Sequence, residues 1–146
     1  MSRLLLPRTV QMEVAMIKDL RSHTTLPASD LSRAKKFYAE KLGLSPSTES
    51  PGGLFYVTAG GTRFTIYPTP NPTRGGHTQM GFSVNDIEGA VAELQAPGVV
   101  FEEYDFPGLK TVGGVAQTGE ARAAWFKDSD GNLIGLVQLP AGADPV

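Results

Sequence analysis

The chain nearly repeats itself. Ser29-Asp30-Leu31 opens a stretch that ends at Leu42-Gly43-Leu44, and Asn85-Asp86-Ile87 opens a second of almost the same length that ends at Pro97-Gly98-Val99. Each is followed by a glycine-punctuated hairpin. The first runs from Phe55-Tyr56-Val57 to Phe64-Thr65-Ile66-Tyr67, the second from Ala124-Trp125-Phe126 to Leu133-Ile134-Gly135-Leu136. Self-similarity of this kind constrains a fold strongly, because two copies of one supersecondary unit can bury each other's apolar faces. Two copies are too few for a solenoid, so the pattern predicts a pseudo-symmetric pair closing around one site. A chain of 146 residues can build one well-buried core but not two ordinary independent domains. The units are therefore expected to be halves of a single domain.

Within each unit the local signals agree. His23-Thr24-Thr25-Leu26 is β-branched and short, and Pro27 marks a strand end or a sheet edge. Ser29 or Asp30 can cap a helix by accepting a hydrogen bond from a first-turn N–H. Leu31, Ala34, Phe37, Tyr38 and Leu42 then recur at helical spacing, and Gly43 can end the helix in the left-handed region. The second unit repeats the logic with a strand over 78–84, a cap at Asp86, a stripe of Ile87, Ala90, Val91 and Leu94, and a stop at Gly98. Three strands are expected after each helix, at 47–49, 54–58 and 63–67 and at 100–104, 122–127 and 133–138. The organisation is thus βαβββ twice. Residues 16–140 form the domain, with module one over about 17–70 and module two over about 76–139. Residues 1–15 are read as an N-terminal extension and 141–146 as a tail. The segment from Pro68 to Gly76 has the composition of a linker. The glycine-rich stretch from Pro107 to Gly119 reads as an irregular loop of the kind that serves as a lid or binding loop.

Composition excludes several functions. A net charge of -2 with 19% charged residues offers no basic field for nucleic acid or an anionic membrane. The absence of cysteine removes disulfides, thiolate metal sites and a cysteine nucleophile, and fits a cytoplasmic location. Leu4-Leu5-Leu6 is too short for a signal-peptide core, and no later run approaches the roughly 20 apolar residues of a membrane span.

Four segments carry a family resemblance: Leu26-Pro27-Ala28-Ser29-Asp30-Leu31; Ala34-Lys35-Lys36-Phe37-Tyr38 with Lys41-Leu42-Gly43-Leu44; Phe82-Ser83-Val84-Asn85-Asp86-Ile87; and Trp125-Phe126-Lys127-Asp128-Ser129-Asp130-Gly131-Asn132. In this order they resemble the vicinal oxygen chelate superfamily, which includes glyoxalase I, fosfomycin-resistance proteins, extradiol dioxygenases and bleomycin-resistance proteins. The resemblance implies an α+β glyoxalase/bleomycin-resistance/dioxygenase fold, in which two βαβββ modules form a curved, cup-like mixed sheet around a ligand. It also implies a homodimer. It does not imply one chemistry, because a fold hosts many.

Metal-dependent members hold a divalent cation with four side chains from the first and fourth strands of each module. Those positions here are His23, about Thr65, Gln79 and Gly135, so only one imidazole and one amide are offered. A catalytic zinc normally has three protein ligands. The expectation is accordingly no metal and no cofactor, with His23, His77 and Gln79 as the candidate ligands should a shifted register recruit His77. Asp128-Ser129-Asp130-Gly131 imitates a calcium loop but lacks its later acidic ligand and precedes a strand, so it reads as a turn. Glu102, Glu103 and Asp105 read as a solvated strand edge.

Period-two alternation then sorts the cup. If Met80, Phe82 and Val84 pack beneath the helices, His77, Gln79 and Gly81 face the ligand, together with His23, Thr25, Thr65 and Tyr67. Tyr104 and Trp125 are added as aromatic contacts, and small residues at Thr65, Gly81 and Gly135 are expected to leave room. The function expected is a glyoxalase-like protein binding a small organic metabolite. His23 or His77 would be the acid or base in any turnover, since a histidine titrates near neutrality. The competing readings are a drug-sequestering binder and a metal-dependent lyase or dioxygenase.

Overall fold

A computed structural model describes residues 16–71 and 73–142. The extension at 1–15, Pro72 and the tail residues 143–146 lie outside the described residues. After a short 3-10 turn at Ile17–Asp19, module one runs β1 (Thr24–Ala28), α1 (Leu31–Leu42), β2 (Thr48–Ser50), β3 (Gly53–Val57) and β4 (Arg63–Pro68). Module two runs β5 (Thr78–Ser83), α2 (Ile87–Gln95), β6 (Asp105–Phe106), β7 (Leu109–Val112), β8 (Val115–Thr118), β9 (Ala121–Lys127) and β10 (Leu133–Gln138). The sheets have orders β1-β4-β3-β2 and β5-β10-β9-β8-β7-β6. In each the opening strand lies parallel to the closing one, β1 on β4 and β5 on β10, and the other pairings are antiparallel.

The helices begin and end for local reasons. Asp30 accepts from the N–H of Arg33 at 3.0 Å, and Asp86 from that of Gly89 at 3.2 Å. Ser29, the alternative cap, is engaged elsewhere. Gly43 ends α1 at φ 71°, in the left-handed region where a Cβ is disfavoured. Gly98 ends α2 as expected: it sits at φ 108°, its N–H donates to the Gln95 carbonyl at 2.9 Å and the Val99 N–H to the Leu94 carbonyl at 3.1 Å, the bonds that close a glycine-terminated helix.

Module two departs from the simple pattern. The expected strand at 100–104 is reduced to a single bridge between Phe101 and Phe126. The stretch from Pro107 to Gly119, read as an irregular loop, instead supplies β7 and β8. Tight turns at Gly108 (φ 89°) and at Gly113 and Gly114 (φ 60° and 81°) fold it into successive hairpins, because glycine alone enters such turns without a Cβ penalty.

The alternation is as expected on β1 and β4, where Leu26, Ala28, Phe64 and Ile66 are buried and Thr25, Thr65 and Tyr67 are not. These join Tyr38 from α1, Ile87 and Val91 from α2, and Ala124, Phe126, Ile134 and Leu136 from β9 and β10 in one core shared by both modules. Of the stripe and strand side chains expected to pack inward, Phe37, Leu42, Phe82, Val84 and Leu94 are only partly buried. Three of them, Leu42, Phe82 and Leu94, line a cleft between the modules.

Candidate functional site: the open face of the two sheets

Both helices lie on the core side, leaving the opposite face of each sheet open. On module one this face carries Thr25 beside Thr65 and Pro27 beside Tyr67, with Phe55 across from Thr65 on the next strand. Phe55 and Tyr67 are 38% and 40% exposed, so the face carries exposed aromatic rings. Burial of Phe64 and Ile66 leaves Thr65 and Tyr67 no other direction on a pleated strand.

On module two the alternation breaks at one residue. The β5–β10 register slips between Leu133 and Ile134, so Thr78 pairs with Leu133 while Met80 pairs with Ile134. Gln79 is the extra residue of this bulge. An extra residue re-aims its side chain, and the Gln79 amide turns to protein partners. Its Nε2 donates to Asn132 Oδ1 at 3.0 Å, and its Oε1 accepts from Thr73 Oγ1 at 3.1 Å and from the Leu133 N–H at 3.2 Å. The expectation that Gln79 faces a ligand by simple alternation is therefore corrected. Thr78 takes the open-face direction and accepts a 3.0 Å hydrogen bond from the Trp125 indole N–H.

Gly135 is corrected in the same way. A Cβ there would meet the Thr78 methyl at 3.2 Å and the Trp125 ring at 3.5 Å. The space beside it is filled by the indole, not left for a ligand. Gly81 differs, with only the Gly135 carbonyl oxygen near a Cβ, at 3.7 Å. Trp125 is half-buried on the open face while its neighbour Phe126 is fully buried. Tyr104 meets Trp125 edge-on with ring centroids 5.7 Å apart, and Phe106 meets Tyr104 at 5.9 Å. Burial, and secondarily Glu102, raise the Tyr104 phenol above its ordinary pKa, so it stays a hydrogen-bond donor at neutral pH.

The two histidines are not brought together. Asn132 Nδ2 donates to the Pro27 carbonyl at 3.0 Å, which sets the end of β1 against the start of β5 and makes these strands run in opposite senses. His23 precedes β1 and His77 precedes β5, so they sit at opposite ends of these two strands. Both are exposed. Among the described residues no three His, Cys, Asp or Glu side chains are grouped to hold a metal ion. The four positions that a family cation would require therefore do not fit one: His23 is remote from His77, Gln79 is spent on Asn132, and Thr65 and Gly135 bring no imidazole or carboxylate.

The Asp128–Asn132 turn is a joint between modules. Asp128 Oδ2 accepts from Tyr38 Oη at 2.7 Å and from Asn132 Nδ2 at 2.8 Å, and Asp128 Oδ1 accepts from the N–H groups of Asp130 and Asn132 at 2.9 Å each. Asp130 Oδ2 accepts from the Ser29 N–H and hydroxyl at 2.7 and 2.9 Å, and Arg33 reaches Asp130 Oδ1 at 3.3 Å. Burial, then the Asp128 carboxylate, push the Tyr38 phenol far above its ordinary pKa. Both carboxylates are thus committed to protein partners. Nor is the acidic edge wholly solvated as expected. Glu103 Oε1 accepts from Thr111 Oγ1 and, at 3.1 Å, from the Gly114 N–H, pinning a hairpin.

The family model for the Glyoxalase/Bleomycin resistance protein/Dioxygenase superfamily matches residues 21–136. The chain belongs to that superfamily. Among solved structures, a glyoxalase/bleomycin resistance protein/dioxygenase from Nocardioides superposes with a TM-score of 0.63 at 20% identity, covering 95% of each chain. The fosfomycin resistance protein FosX from Listeria monocytogenes gives 0.62 at 21% identity, over 86% of this chain and 97% of its own. TnmS3, an antibiotic binding protein from a Streptomyces species, gives 0.59 at 25% identity, over 83% and 98%. No curated protein matches the chain. The α+β fold that the resemblance implies is the fold observed.

Proposed function

We propose that this protein is a small-molecule binder that holds a planar organic ligand against the aromatic residues of its open face, without a metal cofactor. One observation carries the reading: that face presents the aromatic side chains of Phe55, Tyr67, Tyr104, Phe106 and Trp125. Stacking on aromatic rings contributes about 0.5 to 1.5 kcal/mol per pair beyond area burial, enough for recognition without charge. Thr25, Thr65 and the Tyr104 hydroxyl would orient a carbonyl or hydroxyl of the ligand. The 25% identity to an antibiotic binding protein over most of both chains supports the same reading. We further propose a homodimer, supported by Val100 and Val112, which are 78% and 75% exposed on module two and would be covered by a symmetric partner.

Trp125 is the only tryptophan in the chain, so its emission is an intrinsic reporter of this face. A panel of polycyclic aromatic and conjugated carbonyl compounds should include members that change Trp125 emission saturably, raise the melting temperature and are recovered chemically unchanged. Trp125→Phe and Tyr67→Ala should weaken the thermal shift. Chemical conversion of the bound compound, or affinity indifferent to Trp125, Tyr104 and Tyr67 together, overturns the reading.

A further inference from the structure

The joint made by Asp128 and Asn132 closes one end of the boundary between modules. The other end opens into a cleft of about 1290 Å³. Its apolar lining comes from both modules: Phe64, Met80, Phe82, Leu94 and Leu136. The residues leading into β1 and the β3–β4 turn line its mouth, Arg21, His23 and Arg63 among them. His23, expected from the sequence in the cup, thus belongs to the lining of this cleft.

The charge pattern is one-sided. Arg21 and Arg63 line the cleft, and no Asp or Glu does so among the described residues. Neither guanidinium belongs to an ion pair among the described residues. Half-buried Leu42, Phe82 and Leu94 leave apolar surface next to this mouth. Uncovered apolar surface gains free energy from any apolar group that displaces water, and a guanidinium is a planar fork matched to a carboxylate or phosphate. Small-molecule pockets are commonly about 300 to 1,000 Å³, so an extended hydrocarbon chain fits.

We propose that this cleft is a second binding site, separate from the open face, for an amphipathic anion: a hydrocarbon chain lying against Phe82, Leu94 and Leu136, with its anionic head at Arg21 and Arg63. The assignment is independent of the ligand proposed for the open face. It uses neither Trp125 nor Tyr67.

The test is calorimetric titration of the full chain with dodecanoate and with dodecyl phosphate, each below its micellar concentration, beside dodecanol and dodecyltrimethylammonium as neutral and cationic controls of equal chain length. Saturable binding of one or both anions is expected, with whichever head binds tighter naming the anion. Affinity should fall about tenfold or more in an Arg21→Gln, Arg63→Gln double variant and should weaken with added salt. Leu94→Trp, which narrows the cleft from the helix side, should weaken both anions while its circular dichroism and melting curve confirm folding. Wild-type Trp125 emission should not change on titration. Equal binding of the neutral or cationic control, or an affinity that ignores the double variant, overturns the proposal. Quenching of Trp125 by dodecanoate places the chain on the open face, which overturns the cleft assignment but leaves the proposed function standing. Loss of aromatic-ligand binding in the Trp125 variant with intact dodecanoate binding is the converse separation.

Discussion

At one end of the boundary between modules Tyr38, Asp128 and Asn132 are buried and hydrogen-bonded to one another. At the other, Leu42, Phe82 and Leu94 remain half-exposed around a cleft. The difference follows from chain direction. Strands β1 and β5 run in opposite senses, so the end of β1 meets the Asp128–Asn132 turn, while the start of β1 meets only the last residues of β5 and the ends of the helices. Polar groups supplied by a tight turn can satisfy one another at short range. Apolar side chains on elements that stop short leave a void, and a void lined by apolar atoms forfeits dispersion contacts. One end is therefore expected to contribute stability and the other to be available for binding.

The largest expected effect tests whether the two ends differ in packing. Phe126 is fully buried, and Phe126→Ala should cost about 3 to 5 kcal/mol in urea denaturation, the range for large-to-small core changes. Phe82, already half-exposed to the cleft, should cost only about 1 to 2 kcal/mol on the same change, because the cavity penalty has little left to add. Equal costs would mean that the cleft is closed in solution, and the contrast between the ends would fail.

Next in size is the joint. Asp128→Ala removes the acceptor for Tyr38 Oη, for Asn132 Nδ2 and for two backbone N–H groups, leaving buried donors unpaired. About 3 kcal/mol is expected, since a buried polar group stripped of its partner costs about 1 to 3 kcal/mol. Asp105→Ala, a carboxylate on the exposed edge strand β6, is the control and should change stability by less than about 0.5 kcal/mol. A joint variant as stable as this control would show that the network does not hold the modules together.

The sequence made one side of this contrast legible and hid the other. Asp30, Asp86, Gly43 and the stripes of α1 and α2 could be read because caps and helical periodicity are local. Burial of Phe64 and Ile66 could be read because alternation on β4 is unbroken. Gln79 was misplaced because a bulge shifts alternation by one residue without any local signature. Gly135 was misread because a missing side chain looks the same in sequence whether a ligand or the Trp125 ring fills its place. The strands β7 and β8 were missed because Gly108, Gly113 and Gly114 suit hairpin turns and open loops alike. The joint lay in view as Asp128-Ser129-Asp130-Gly131-Asn132, yet its partners Tyr38, Ser29 and Pro27 are distant in sequence. The cleft had no sequence signal, since apolar periodicity predicts which way a side chain points and not whether anything meets it.

The smallest effect is also the most discriminating, because it sets two buried tyrosines against each other. Tyr38 donates to Asp128 at 2.7 Å, whereas the buried Tyr56 hydroxyl has no hydrogen-bond partner among the described residues and its ring stacks on Phe64 at 4.6 Å. Tyr38→Phe should therefore lose about 1 to 2 kcal/mol, while Tyr56→Phe should be neutral or slightly stabilising, since it deletes a polar group left unsatisfied. Alkaline pH gives an independent readout. Burial, then Glu49, raise the Tyr56 pKa from 10.0 to about 12, so its folded form resists ionisation that the unfolded chain permits. Its contribution is complete below pH 10.0 and is lost as pH rises to about 12. Melting temperatures should be flat through neutrality and fall across that window, and Tyr56→Phe should make the fall shallower. A Tyr56→Phe protein that loses as much stability as Tyr38→Phe would show that the Tyr56 hydroxyl has a partner, and that a second polar tie exists outside the Asp128 joint.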